Sequence, residues 1–450
     1  MAQCCFCQPQ RPISLFAALK TYNDKRLLSI FCFGISSGFP WIMIGSVLSA
    51  WLKDDGLSRS AIGLFGVIFA TYSFNFLWSP LLDKVKPPVL GQRRGWILLM
   101  QLCIVGCCLV MSQLSTQSHL YFIALTGLCI AIASATQDIA IDGFRIDSIE
   151  EHDKDGMSAA SSVATAGWWT GYGGLGAIPF YLADLTSFTW PNIYLLLAVM
   201  MLPLIIVTFV TREPVVDRDM LIARIQHRKE HATGLLYWLQ TTLITPFSEF
   251  FNRNGVRLAA SFLLFIFLFK IGEAFLGRMS IVFYKEIGFT NSDIATYSKL
   301  LNWWVTIIFS LLGGLVNMRY GIYKGLMVAG IAMAASNLLF AVIAQVGPST
   351  SLLTLAVIVD GFTGAWSTVA MVAFISLLCN RAFSATQYAL MASLSVAGRT
   401  LVASSSGVVV DVLEGNWSLF FILTALMVIP SLSFLYWIRE DIKSVEHTAR

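Results

Sequence analysis

The sequence predicts an all-α membrane protein of about twelve transmembrane helices in two six-helix halves, and three observations predict it. Of the 450 residues, 56% are hydrophobic and only 12% charged, where soluble domains carry roughly a quarter charged. Long apolar runs recur from about residue 27 to residue 438. Many approach the ~20 residues that a helix needs to cross ~30 Å of hydrocarbon, and they lack the alternation of barrel strands. The runs also fall into two sets on either side of a long polar stretch.

The first set is expected at 27–52, 60–83, 95–114, 119–144, 157–183 and 190–211, the second at 258–284, 293–316, 323–346, 350–378, 384–411 and 416–438. The chain then divides into an N-terminal segment 1–26, a first half 27–211, a central loop 212–257, a second half 258–438 and a tail 439–450. The first 26 residues hold no apolar core of a cleavable signal, and the first apolar run is long enough to span. With the N-terminus in the cytoplasm, only Lys53, Arg59, Arg278 and Lys285 of the 30 basic residues fall outside. Positive loops are retained inside, so both ends are expected there.

The nine cysteines sit near the N-terminus (Cys4, Cys5, Cys7) or inside expected spans, which predicts no disulfides. Cys4, Cys5 and Cys7 lack a fourth ligand and a nearby histidine, so no metal is expected. In the central loop, apolar and basic residues mix at helical spacing, as in a helix lying on the cytoplasmic leaflet. His227 and His231 read there as part of a solvated basic face. Nothing calls for a cofactor or for nucleic acid; the surrounding partner is the lipid bilayer, and a monomer is expected.

Charges inside the bilayer are the informative positions, because each costs at least ~2.5 kcal/mol at mid-depth unless it faces a partner or a cavity. Lys270 and Glu273 in "LFLFKIGEAFLG" share a helix face about 60° apart. They either pair structurally or serve coupling and substrate. In "ASATQDIAIDGFRIDSI", Asp138, Asp142 and Arg145 share a face, with Asp147 opposite. Two carboxylates one turn apart disfavour joint ionisation and make a proton site; the alternative is an interfacial network around Arg145. Asp360 and Arg399 also fall near mid-depth, with Lys299 shallower. Trp51, Trp190 and Trp417 suit the headgroup level, whereas Trp168, Trp169, Trp303, Trp304 and Trp366 fall deeper, where an indole can stack on a sugar or simply pack. Gly171, Gly173, Gly174 and Gly176 allow close helix approach.

Equivalent places in the two halves carry "SPLLDKVKPPVLGQRRGW" and "GGLVNMRYGIYKGL". They resemble the signature loop of the major facilitator superfamily, with Asp83 at the helix end and Arg93 and Arg94 in the loop; Pro87 and Pro88 lengthen it. "FLWSPLLDKVKPP", "ASATQDIAIDGFRID", "FKIGEAF" and above all "LCNRAFSATQYALMASLSVAGR" (Leu378 to Arg399) resemble the AmpG muropeptide permeases over nearly the whole chain. The resemblance implies proton-driven import of N-acetylglucosaminyl-anhydromuramic acid, with or without its peptide, for peptidoglycan recycling across the bacterial inner membrane, an uptake that also feeds β-lactamase induction. It carries Asp138 and Asp142 over as an acidic pair and Lys270 and Glu273 as an ion pair. Asn75 stands where a lysine is expected. Lys270 and Arg399 could neutralise substrate carboxylates, and Asn75, Gln137, Asn302 and Gln387 could bind hydroxyls. The competing readings are another transporter of this fold, for acetyl-coenzyme A or peptides, and a membrane-embedded enzyme. The second lacks a nucleophile or acid pair outside the expected proton relay.

Overall fold

The computed structural model describes residues 19–57, 65–150, 153–183, 189–216, 244–289, 293, 297, 301–403 and 405–442. Cys4, Cys5, Cys7, Arg59, His227, His231, Lys299 and most of the expected surface helix lie outside them. Among the described residues every regular element is helical.

Eight spans are long and apolar by the measure of bilayer thickness. They are α1 (Lys25–Leu52), α3 (Gln92–Met111), α4 (Thr116–Ser148), α6 (Trp190–Val210), α7, α9 (Ile322–Val346), α10 (Thr350–Leu378) and α12 (Trp417–Trp437). The remaining four are α2 (65–84), α5 (154–183), α8 (Asn302–Tyr320) and α11 (384–412). Three of these are composite. α2 alternates 3-10 turns at Gly66–Ala70 and Asn75–Leu77 with short α stretches. α5 passes through a π turn at Thr170–Gly174, and α11 through one at Gly398–Val402. α7 is two helices, Val256–Leu268 and Ile271–Ile287, with Lys270 (φ −106°, ψ 13°) between them. A short helix, Thr245–Asn254, precedes it.

Caps explain several starts. Asp24 accepts from the Arg26 amide at the head of α1, and Ser349 from Leu352 at the head of α10. Within the first half, α1 lies against α5 and α3 against α4 and α6; within the second, α10 packs on α8 and α9, and α9 on α12. The α1–α5 approach is set by small residues: a Cβ on Gly38 would collide with the Trp168 backbone, and one on Gly171 with that of Ile35. The halves meet chiefly through α5 against α8 and α10, and α11 against α2 and α4. The end of the molecule carrying residues 85–91, 149–150 and 379–383 is the basic face.

Candidate functional site: charges between the two halves

The first charged centre lies on α4. The Ser37 hydroxyl on α1 donates to Asp138 at 2.7 Å, and Trp41 lies beside the same carboxylate. Among the described residues no cation pairs with Asp138. One turn nearer the basic face, Asp142 pairs with Arg145 at 2.6 Å. Arg145 reaches across to the second half, donating to Ser376 at 3.2 Å with its guanidinium 4.9 Å from the Tyr388 ring centroid. Asp142 is thus tied through Arg145 to the second half, and Asp138 to Ser37 on α1.

The second centre gathers around the break in α7. Lys270 pairs with Glu273 at 2.8 Å and donates to Thr368 at 2.6 Å and to the Gly364 carbonyl at 3.3 Å, both on α10. Breaking the helix at Lys270 turns the ammonium toward α10, where carbonyl and hydroxyl replace its water. Asp360 accepts from Ser336 at 3.1 Å and lies within electrostatic reach of Glu273 and Lys270. Arg399, on the π turn of α11, is exposed and interacts electrostatically with both members of the pair. The Lys270 side chain is buried, while 28% of the Glu273 side chain and 25% of that of Asp142 remain accessible. Carboxylates keep water contact at these depths only where they face a hydrated space.

At the basic face the halves are locked. Arg93 is fully buried, pairing with Asp83 at 2.6 Å and Asp147 at 2.8 Å. It also donates to Ser384 of the second half at 2.8 Å; Ser384 donates on to Asp147, and Asp83 accepts from both the amide and the hydroxyl of Thr386. Arg381 donates to the Ile149 carbonyl. Arg94 does different work, capping the last carbonyls of α6 at Thr208 and Phe209.

Residues 30–302 match the model of the Major Facilitator Superfamily. A protein of Rickettsia felis called "Putative transporter AmpG 4" is 32% identical over 94% of this chain and 99% of its own. The chain belongs to the AmpG transporters of the major facilitator superfamily. Another AmpG relative, the "Anhydromuropeptide permease" of Escherichia coli, is 29% identical over 94% of this chain and 82% of its own. Among solved structures, the proton:xylose symporter XylE matches with a TM-score of 0.63 at 14% identity over 94% of this chain and 95% of that one. FucP matches with 0.67 at 13% over 93% and 99%. These two show the fold.

In this AmpG chain the remaining sequence candidates separate. Trp168 stacks on Tyr172 (centroids 5.1 Å apart) and meets Trp41 edge-on, and Trp303 donates to the Trp169 carbonyl at 3.2 Å across the halves. Asn75 accepts from Ser393 at 2.7 Å, tying α2 to α11. Asn302 is half-buried against α10, its amide oxygen facing Gly361. Four candidates lie elsewhere. Gln137 is fully buried and donates to the Ser36 carbonyl; Trp366 is buried and donates to Asn317. Trp304 is 53% exposed. Gln387 is held by Asn380, Pro246 and Glu249 near the basic face. Sequence reasoning missed Ser37, Trp41, Tyr388 and Thr368. Trp41 was recoverable as a tryptophan well inside the first span; the other three required knowing which helix faces which.

Proposed function

We propose that this transporter imports anhydro-muropeptides across the bacterial inner membrane together with protons, for peptidoglycan recycling. The observation that carries the reading is the similarity to the Escherichia coli anhydromuropeptide permease along 94% of the chain. The two charged centres support it in chemical terms. An anionic sugar-peptide needs cations, and Lys270 and Arg399 supply them at mid-depth. Coupling needs a carboxylate that can exchange a proton, and Asp138, bonded to Ser37 and clear of cations among the described residues, suits that role, with Asp142 and Glu273 as further members of the path. Asn75, Trp168, Trp169, Asn302, Trp303 and Asp360 join Lys270 and Arg399 as candidates for substrate contact. Gln137, Trp304, Trp366 and Gln387 lie away from the two charged centres and remain candidates from the sequence alone. The halves 27–211 and 258–438 rock about this space, the basic face lies in the cytoplasm with both chain ends, and one chain is the working unit.

A proton crossing ~100 mV releases ~2.3 kcal/mol, enough for a ~50-fold concentration ratio. Labelled anhydro-muropeptide should accumulate in sealed vesicles only with the gradient imposed. In a bacterium lacking its own permease, the gene should restore β-lactamase induction where that circuit exists. Asp138→Asn should lose gradient-driven accumulation while retaining exchange of substrate across the membrane. Accumulation of acetyl-coenzyme A or free stem peptide in place of the disaccharide would refute the substrate, and wild-type accumulation by Asp138→Asn would refute the coupling site.

A further inference from the structure

The helix Thr245–Asn254 buries Pro246, Glu249 and Phe250. A carboxylate on the buried face of a ten-residue helix is costly unless fully paired. Glu249 is: Gln387 donates to it at 2.5 Å, Asn380 at 2.8 Å and Arg253 at 3.1 Å. Arg253 also donates at 2.6 Å to the carbonyl of Leu378, the last residue of α10. Gln387 completes the knot, accepting from the Asn380 amide at 2.7 Å and donating to the Pro246 carbonyl at 3.0 Å. Gly255, at φ +76°, then turns the chain straight into α7.

The stretch gripped here is the one that closes the basic face from the other side. Arg381 bonds Ile149, Ser384 bonds Arg93 and Asp147, and Thr386 bonds Asp83. Residues 380–387 are thus held between the Thr245–Asn254 helix and the signature loop of the opposite half. The first half carries a looser counterpart. Arg26, paired with Asp24 just before α1, donates at 3.0 Å to the carbonyl of Ser148, the last residue of α4. An acid and an arginine stand near the start of each half, Asp24 and Arg26 at the head of α1 and Glu249 and Arg253 on the helix before α7, yet 31% of the Asp24 side chain is accessible against 8% of that of Glu249. Only the second-half acid, Glu249, is built into the interior, with Arg253 reaching it from the surface.

We propose that Glu249 and Arg253 are positioning residues for transport. They hold the α10–α11 loop so that Arg381, Ser384 and Thr386 meet the first half, and thereby set how readily the basic face opens. They touch neither charged centre, so they act on the rate of opening and not on substrate affinity.

Cys379 lies inside the gripped loop, half-buried, its thiol 3.2 Å from the Ile375 carbonyl. The test uses the full-length chain with Cys379 as its one remaining cysteine, in lipid nanodiscs where both faces are reachable, and measures labelling by a maleimide. Glu249→Ala should speed labelling about tenfold, the ratio that corresponds to ~1.4 kcal/mol of lost hold, and should change the maximal uptake rate with KM kept within about twofold. Glu249→Asp should recover part of the wild-type labelling rate, whereas Arg26→Ala should leave it unchanged within about twofold. Wild-type labelling in Glu249→Ala overturns the proposal. So does an equal increase in Arg26→Ala, which would mean general loosening, or a shift confined to KM. Should Glu249→Ala fail to insert, Gln387→Met, which removes the other end of the knot, is read by the same criteria.

Discussion

The eight long apolar spans and the four others divide the molecule by task. Spans α1, α3, α4, α6, α7, α9, α10 and α12 meet the length and hydropathy that a bilayer requires. The described stretches of α2, α5, α8 and α11 fall short of that measure, and through these spans run the main α5–α8 and α2–α11 contacts between the halves. Three of the four are interrupted by π or 3-10 turns, and α8, though continuous, carries Asn302, Thr306, Ser310 and Asn317; among the eight, α1 passes through a π turn at Met43–Val47 and α7 breaks at Lys270. In either set, the polar and loosened stretches follow from what each stretch faces. A span against lipid must satisfy every backbone group internally and stay apolar. A span that slides on another protein surface can carry polar groups, small residues and loosened turns, and it needs them to hold two arrangements.

The comparison is tested most severely where the two sets are joined. Arg93 heads α3, a lipid-type span, yet its guanidinium is spent on Asp83 of α2, Asp147 of α4 and Ser384 of α11. Arg93→Ala takes the counter-charge from two buried carboxylates, a loss of ~3–5 kcal/mol for such pairs. The expected outcome is a large fall in thermal stability together with loss of uptake, whereas Arg94→Ala, which frees carbonyls at the end of α6 within one half, should cost less stability and spare transport. Comparable melting temperatures for Arg93→Ala and wild type would break the division.

A smaller effect separates neighbours on one helix. The Trp303 ring lies over Gly173 and Gly174 and bonds the Trp169 carbonyl across the halves, while Trp304 faces outward. Trp303→Leu should lower the uptake rate several-fold with little loss of stability, since the α5–α8 contact is re-formed in each cycle; Trp304→Leu should stay within about twofold on both measures. Equal effects would show that α8 does not distinguish its two faces.

The same division explains how much the sequence made legible. α10 was expected at 350–378 and runs Thr350–Leu378, and α6, α9 and α12 lie within a residue or so of expectation, because apolar length is a direct imprint of the bilayer. Charges at mid-depth announce themselves, so Lys270, Glu273, Asp360 and Arg399 stood out in the sequence by depth, and Asp138 by the helix face it shares with Asp142. Polar uncharged residues carry no such mark: Gln387 reads like a hydroxyl binder, yet it closes a knot with Glu249, and Gln137 is buried against α1. Which neighbour a glutamine meets is decided by helix rotation, and α2, α5 and α11, the composite spans, have no single helical phase from which to read it.

The smallest effect concerns the α2–α11 seam, where Asn75 accepts from Ser393 at 2.7 Å and the resemblance to the AmpG permeases implies a lysine. This bond sits farther from the basic face than the Arg93 lock, on two spans whose turns are already loosened. A neutral pair of this kind is worth ~1 kcal/mol, so Asn75→Ala and Ser393→Ala should each shift uptake by less than about tenfold. Because each variant removes the same bond, the double variant should be no worse than the more affected single one. Additive losses would mean that Asn75 and Ser393 act separately, for instance by one of them touching substrate. Asn75→Lys asks more of the seam. An ammonium there brings a charge to a place where a hydroxyl now suffices, and Ser393 offers it an acceptor but no counter-charge. If α2 and α11 slide on each other, that variant should slow uptake more than Asn75→Ala while leaving stability near wild type, whereas equal losses of both would place the seam with the rigid spans.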